Sequence, residues 1–264
     1  DRETGAALVA SPSVSMVSFT GSSLTGTKIM EASAPKLSQV ALELGGKSAM
    51  VIFADTEIER AVEATIKGCL TNGGQICTAH TRLIVQEGIK DDLLKKLKKT
   101  LENIPYCRDP ITERERGDRA WETGMTDVIQ PVVSASQHEK IVGFLNEAKA
   151  AGIEIYTGGE VPDPADLENS GGYFIQPTIL TNVPSDSDAW QKEIFGPVLS
   201  VRTFSSEAEA IKEANSTAFG LASTVMSSDP AKAMRVANRI RAGAVFATST
   251  GEGLLAEHPA VSRG

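Results

Sequence analysis

Several features that narrow a protein's function quickly are missing from this sequence. Aromatic residues make up only 5% of its 264 positions, and no apolar run approaches the roughly 18 residues that cross a bilayer. Acidic residues outnumber basic ones by 34 to 26, so the net charge of −8 disfavours binding to nucleic acid or to an anionic membrane surface. The first residues lack the pattern of a signal peptide, and the chain has no repeats.

Cysteine and histidine are also scarce. The three cysteines, Cys69, Cys77 and Cys107, are odd in number and lack C-x-x-C spacing. This pattern indicates an intracellular, reducing compartment rather than a disulfide framework. The three histidines are scattered along the chain, and their spacing predicts no metal site.

Strand and helix patterns alternate along most of the chain, which predicts an α/β fold with a parallel sheet. The predicted strands are Val14–Phe19, Val40–Leu44, Ala49–Phe53, Arg82–Val85, Ile153–Thr157, Val198–Phe204, Leu221–Met226 and Ala244–Ala247. The predicted helices are Ser22–Ala34, a helix capped by Asp55, Ile89–Ile104, Gln137–Ala151, Glu207–Asn215 and Pro230–Arg241.

Two helices have a clear apolar face. Cys69 falls on the apolar stripe of the helix after Asp55, which places it in the core. The lysine-rich helix after Ile89 turns four leucines inward, and its lysines form a solvated face. These leucines are Leu93, Leu94, Leu97 and Leu101. The mixed-charge run 113–119 is predicted to be an exposed loop.

One cysteine stands in a glycine-rich turn, Asn72-Gly73-Gly74-Gln75-Ile76-Cys77, between a helix and a strand. Gly73 and Gly74 permit backbone conformations that other residues avoid, so the turn can expose a side chain and direct N–H groups at a ligand. Cys77 is then a candidate nucleophile with an oxyanion site beside it. The alternative is an inert buried cysteine, which is the common state of a free thiol.

Two further segments carry candidate site residues. Glu43 lies between Leu42 and Leu44 and is either a solvated strand residue or a carboxylate held in a cleft. The strand ending at Phe19 is followed by Gly21 and a helix, and a helix N-terminus of this kind attracts anions. The segment lacks the Gly-Lys-Ser/Thr order of a phosphate loop and has no G-x-G-x-x-G, so by itself it is a weak cofactor signal.

Four blocks together resemble the aldehyde dehydrogenase superfamily. They are Phe19-Thr20-Gly21-Ser22, Leu42-Glu43-Leu44-Gly45-Gly46-Lys47, Gly74-Gln75-Ile76-Cys77 and Glu193-Ile194-Phe195-Gly196-Pro197-Val198. Their order and spacing are those of the family, from about Gly5 to about Val245. Within it, Ile29-Met30, Gly68-Cys69 and Trp190 most resemble betaine (amino) aldehyde dehydrogenases.

The resemblance implies a domain organisation. Residues 1–45 would be the C-terminal part of a Rossmann-type NAD(P)-binding domain, 46–250 a catalytic α/β domain, and 251–264 an irregular truncated tail. Both termini are expected to be missing, so the chain alone is expected to be inactive. Family members are usually homodimers or homotetramers. The expected location is the cytoplasm, a plastid or a peroxisome.

The resemblance also implies roles for individual residues. Cys77 would be the nucleophile, and Glu43 the general base, with a pKa raised by partial desolvation. The expected reaction is oxidation of a small aldehyde to its acid through a thiohemiacetal and a thioester. NAD or NADP would be the cofactor. The residues expected to contact it are Thr20, Gly21, Ser22, Leu44, Gly45, Glu193 and Phe195.

Alternatives and departures stay open. A coenzyme-A-acylating relative commonly lacks the general base, whereas Glu43 is present here; a non-catalytic fragment or structural relative is the stronger rival. An aromatic cage for a trimethylammonium group would place a Trp near Thr71, where none occurs. The segment Leu254–Gly264 does not continue into the family's P-F-G-G-x-K block. Betaine aldehyde is therefore one candidate substrate among several, and the choice between NAD and NADP is open.

Overall fold

The computed structural model describes residues 2–107, 128–163, 167 and 171–248. The chain forms two compact α/β units, one ending at Gly45 and the other beginning at Gly46. The predicted charged loop at 113–119 and the predicted tail at 251–264 lie outside the described residues.

The first unit is a parallel pair of strands with helices. It contains α1 (Arg2–Ala10), β1 (Met16–Gly21), α2 (Ser23–Ser33), a short 3₁₀ turn (Ala34–Lys36) and β2 (Gln39–Leu44). β1 and β2 pair in register from Met16 opposite Gln39 to Gly21 opposite Leu44. The Ser22 side chain caps α2 by accepting a hydrogen bond from the Thr25 backbone N–H at 3.3 Å. The sequence did not predict α1.

The second unit is built on a seven-stranded sheet. Its strands are β3 (Ala49–Ile52), β4 (Arg82–Gln86), β5 (Glu154–Thr157), β6 (Thr178–Thr181), β7 (Val198–Phe204), β8 (Ala222–Met226) and β9 (Ala244–Thr248). Their order in the sheet is β5-β6-β7-β4-β3-β8-β9. All pairs are parallel except β5–β6, so the predicted α/β fold with a parallel sheet is confirmed, with one antiparallel strand at its edge. An antiparallel edge strand needs no crossover helix and is common on such sheets.

Helices cover both faces of this sheet. They are α3 (Ile58–Leu70), α4 (Lys90–Leu101), α5 (Ala135–Ala150), α6 (Asp188–Gln191), α7 (Glu207–Ala214) and α8 (Pro230–Ala237). On β4, Ile84 joins the core cluster that contains α5, α7 and α8, whereas Leu83 and Val85 join the cluster that contains α3 and α4. Successive side chains thus enter opposite cores, which explains why this strand is apolar throughout.

The helical core predictions are confirmed, but one cap is wrong. Cys69 is buried, and so are the four leucines of α4 that were predicted to face inward. α3 begins at Ile58, and its N-cap Glu57 makes no side-chain cap. Asp55 instead accepts hydrogen bonds from Lys232 Nζ and Ser227 Oγ, both at 2.9 Å. Its carboxylate therefore binds residues that lie far away in the sequence and does not cap α3.

Candidate active site

The backbone around Cys77 adopts the strained conformation that its glycines predicted. α3 ends at Leu70 and continues into a 3₁₀ turn over Thr71–Gly74. Within it Asn72, Gly73 and Gly74 have φ of 54°, 64° and 73°, in the left-handed region where glycine is favoured. Cys77 follows as a free, partly exposed residue.

Gly46 and Gly196, from distant segments of the chain, pack against this turn. A Cβ placed on Gly74 would overlap the carbonyl oxygen of Gly196 and lie 3.0 Å from that of Cys69. A Cβ placed on Gly46 would overlap the carbonyl oxygen of Cys77. Residues from three of the four motif blocks are therefore in backbone contact within the second unit, which sequence spacing alone did not reveal.

Glu193 and Phe195 occupy a tightly held loop. The Gly46 backbone N–H donates to Glu193 Oε1 at 2.9 Å. Phe195 has a φ of 59°, which is costly for a residue with a side chain. From α5, Gln137 Nε2 donates to the carbonyl oxygens of Ile194 and Phe195 at 3.0 and 2.9 Å, and thereby stabilises the unusual conformation.

A second glutamine braces the cysteine turn. Gln75 Oε1 accepts from the Val133 backbone N–H at 2.9 Å, and Gln75 Nε2 donates to the Asn72 carbonyl oxygen at 3.1 Å. In return, Asn72 Nδ2 donates to the Gln75 carbonyl oxygen at 3.2 Å. These bonds fix the turn from within and tie it to the segment that precedes α5.

Arg82 connects the site to the C-terminal end of α7. Its Nε donates to the Lys47 carbonyl oxygen at 2.7 Å, and its two terminal nitrogens donate to the carbonyl oxygens of Glu213 and Ala214 at 2.9 and 2.8 Å. The guanidinium also lies over the Trp190 ring, 5.0 Å from its centroid. Arg82 therefore satisfies the last carbonyls of α7 and fixes the backbone next to Gly46.

Lys47 is the least expected residue of the site. Its side chain is 1% exposed, and its Nζ has no hydrogen-bond partner in the part of the chain that the structure describes. Burial lowers the pKa of Lys47 to about 7; Arg82 also lowers this pKa, whereas Cys69 and Glu193 raise it. The sequence marked Lys47 only as the last residue of the block that begins at Leu42 and as a residue shortly before an apolar strand.

The remaining predicted residues lie in the first unit. Thr20 and Glu43 are opposite each other across the β1–β2 pair, and both are exposed. Gly21 packs against the ring of Phe19, where a Cβ would not fit without moving the ring. Alternation along β2 leaves the Glu43 side chain exposed in this chain, and its role as general base stays a prediction. Leu44 and Gly45 end the unit and are half-buried.

The three thiols differ in accessibility, which gives a direct test of the cysteine assignment. Burial raises the pKa of Cys69 to about 12, and Cys107 is only 7% exposed. Iodoacetamide at less than one equivalent should therefore label Cys77 first, because alkylation needs an accessible thiolate. Peptide mapping reads the result, with Cys77→Ser as the control. Preferential labelling of Cys69 or Cys107 would contradict the assignment.

A sequence profile of the Aldehyde dehydrogenase family matches residues 1–258. The chain belongs to the aldehyde dehydrogenase family. Over 244 residues it is 43% identical to aminoaldehyde dehydrogenase 1, peroxisomal, of Pisum sativum and 42% identical to betaine aldehyde dehydrogenase, chloroplastic, of Beta vulgaris. Each alignment covers 92% of this chain and 45% of the relative. The chain thus spans about half the length of the curated relatives it matches.

Solved structures agree with the family and the fold. Betaine aldehyde dehydrogenase from Staphylococcus aureus, in complex with NAD+, superposes with a TM-score of 0.83 at 35% identity. This match covers 97% of the present chain and 48% of the other. Within the described residues, no group of three or more His, Cys, Asp or Glu side chains could hold a metal ion. No described helix combines the length and apolar character needed to cross a membrane.

Proposed function

We propose that the protein oxidises an aldehyde to the carboxylic acid with NAD+ or NADP+, through a thioester on Cys77. The observation that carries this proposal is the contact of the Cys77 turn with both Gly46 and Gly196. These contacts fix the backbone around an accessible thiol, as a nucleophile that must meet a substrate in one geometry requires.

The residues present suit a nicotinamide cofactor. The Gly46 N–H engages only one oxygen of Glu193, so the other remains able to accept from a ribose hydroxyl. Phe195, held by Gln137, would lie by the nicotinamide, and the first unit would add Thr20, Gly21, Ser22, Leu44 and Gly45. When bound, the nicotinamide supplies a hydride acceptor.

The chain's own residues supply the acyl chemistry. The Cys77 thiolate attacks the aldehyde carbon, and the carbonyl oxygen takes up the negative charge. The Cys77 backbone N–H has no acceptor among the described residues, so it is available to this oxyanion. After loss of hydride the carbon is a thioester. Glu43 then takes a proton from water, which attacks the thioester carbon and releases the acid and the thiol.

Substrate, location and assembly are proposed at a coarser level. The named relatives act on aminoaldehydes or betaine aldehyde, which favours a small aldehyde of this class, although no Trp lies beside Thr71. A reducing compartment suits the three free cysteines, and those relatives are peroxisomal or chloroplastic. A homodimer or homotetramer stays a prediction.

The test uses a polypeptide of the relatives' full length that carries these 264 residues, with an aminoaldehyde or betaine aldehyde and NAD+ or NADP+. Wild type should show sustained formation of the reduced cofactor. Glu43→Gln should give a burst of about one equivalent and then stall, since deacylation lacks its base. Cys77→Ser should give neither.

Three outcomes would change the proposal. Sustained turnover by Cys77→Ser would exclude the thioester route. A wild type without activity would favour a non-catalytic relative, which the exposure of Glu43 also supports. Equal loss of burst and turnover in Glu43→Gln would move this carboxylate to activation of the thiol. The 264-residue chain by itself is expected to show no sustained turnover.

A further inference from the structure

The turn that carries Cys77 contains Asn72-Gly73, the only asparagine–glycine pair in the sequence. The side-chain carbonyl carbon of an asparagine can be attacked by the backbone nitrogen of the next residue. This reaction makes asparagine thermolabile, and a following glycine favours it because no Cβ shields the nitrogen. Asn72 is also exposed to solvent. A residue open to chemical modification therefore lies in the turn of the candidate nucleophile.

The native backbone at Asn72 is not the conformation that reacts. Asn72 has a φ of 54° and a ψ of 36°. This ψ directs the Gly73 nitrogen away from the Asn72 Cβ, whereas ring closure needs both on the same side of the Cα–C bond. The reaction therefore requires a local opening of the turn in which ψ rotates.

Three hydrogen bonds to Gln75 oppose that opening. The Asn72 carbonyl oxygen accepts from the Gln75 backbone N–H and from Gln75 Nε2, both at 3.1 Å. Asn72 Nδ2 donates to the Gln75 carbonyl oxygen at 3.2 Å. The first two bonds hold the carbonyl that must turn with ψ, and the third holds the carboxamide itself. Gln75 therefore controls how often the reactive conformation forms.

We propose that Asn72 is a deamidation site, which the bonds to Gln75 slow and which disables the nucleophile turn once it reacts. The Gly73 nitrogen bonds to Asn72 Cγ, the Cγ–Nδ2 bond breaks, and Nδ2 leaves as ammonia with the proton from the Gly73 N–H. Water then opens the succinimide at either of its C–N bonds, adding hydroxyl to the carbon and a proton to the nitrogen. The products are aspartate and isoaspartate at position 72.

Both products are incompatible with the native turn. Aspartate has only acceptor oxygens, so its carboxylate would face the Gln75 carbonyl oxygen with no donor between them. Isoaspartate lengthens the main chain by a methylene group, which displaces Gly74 from its contact with the Gly196 carbonyl oxygen. A resulting loss of turnover rests on the proposed function, in which Cys77 is the nucleophile. The modification itself does not.

The first test incubates the 264-residue chain in warm buffer at pH 8 and follows every asparagine by peptide mass spectrometry. Asn72 should convert first, and Asn72→Gln should remove this product because its longer side chain closes a ring far more slowly. Asn182 is the internal control. It is exposed and has the same φ of 54°, but Val183 follows it and shields the nitrogen with a branched side chain.

The second test removes the side-chain bond from Gln75. Gln75→Met should raise the rate of conversion at Asn72 roughly tenfold, the effect of losing one or two ordinary hydrogen bonds. Gln86→Met is the matched control. Gln86 Oε1 accepts from the Ala54 backbone N–H at 2.9 Å at the opposite end of β4, so its removal should leave the rate unchanged.

The third test measures the effect on the turn. Alkylation of Cys77 by iodoacetamide should slow as position 72 converts, because a new carboxylate in the turn opposes formation of the thiolate. In the full-length polypeptide, turnover should fall with the converted fraction. Asn72→Gln should keep the alkylation rate and turnover with which it starts.

The outcomes separate the two proposals. Conversion of another asparagine before Asn72 overturns the site, and equal rates in wild type and Gln75→Met overturn the control by Gln75. Unchanged alkylation of Cys77 after conversion overturns the effect on the turn. A fresh full-length polypeptide without turnover contradicts the proposed function alone, since mass spectrometry and alkylation decide the modification without any substrate or cofactor.

Discussion

Gly74→Ala is expected to lower the free energy of unfolding by roughly 2–6 kcal/mol. Two penalties combine at this position. The backbone has a φ of 73°, which is strained for alanine, and the new methyl group would overlap the Gly196 carbonyl oxygen. That oxygen belongs to the rigid loop of Glu193 and cannot move away as a flexible side chain can. Urea unfolding followed by circular dichroism measures the loss.

Gly152→Ala is the matched control for this variant. Gly152 has a φ of 71°, close to that of Gly74, but a Cβ there would meet nothing within 4 Å. It should cost only about 1–2 kcal/mol, from backbone conformation alone. Equal losses in the two variants would mean that backbone strain explains both, and that the contact with Gly196 has no energetic weight. A larger loss in Gly74→Ala would assign the difference to that contact.

Lys47→Met is expected to change how stability depends on pH. In the folded chain the pKa of Lys47 is about 7, against an ordinary value of 10.5. Between these values the native state binds fewer protons than the unfolded state, so the free energy of unfolding of the wild type rises with pH relative to the variant. The slope should approach about 1.4 kcal/mol per pH unit, and below pH 7 the methionine variant should be the more stable.

The measurement is urea unfolding of both proteins at half-unit steps from pH 6 to pH 10, with the difference plotted against pH. Lys47→Arg is the control, because arginine keeps its charge across this window. The difference between Lys47→Arg and Lys47→Met should then be flat. A flat difference between wild type and Lys47→Met would mean that Lys47 titrates alike in both states and is not buried as a neutral amine.

The sheet could be predicted from the sequence to a large extent. Central parallel strands are buried on both faces, so they appear as apolar runs bounded by turns. β7 was predicted to the residue, Val198–Phe204, for this reason. The antiparallel pairing of β5 was not predictable, because strand direction depends on the path of the connection and not on the strand's own side chains.

The sequence predicted the site only where a short local pattern of residue types marks it. A cysteine among glycines marks a turn, and Glu193-Ile194-Phe195-Gly196 is a recognisable block. The roles of Lys47, Gln137 and Arg82 depend on carbonyls and charges that lie far away in sequence. The predicted helix cap by Asp55 was wrong for the same reason. Its carboxylate accepts a hydrogen bond from Lys232, which lies 177 positions later in the sequence.

These long-range bonds determine when the cysteine turn can gain its native contacts during synthesis. Gly46 meets Glu193 across 147 positions, and Arg82 meets the end of α7 across 131. A ribosome delivers the N-terminal part first, so the cysteine emerges long before the surface that shapes its turn. A nascent chain that stops short of Gly196 carries the thiol but lacks the backbone on which Gly74 packs. The cysteine is thus made well before Gly196, and its turn acquires its native surroundings only after that residue has emerged.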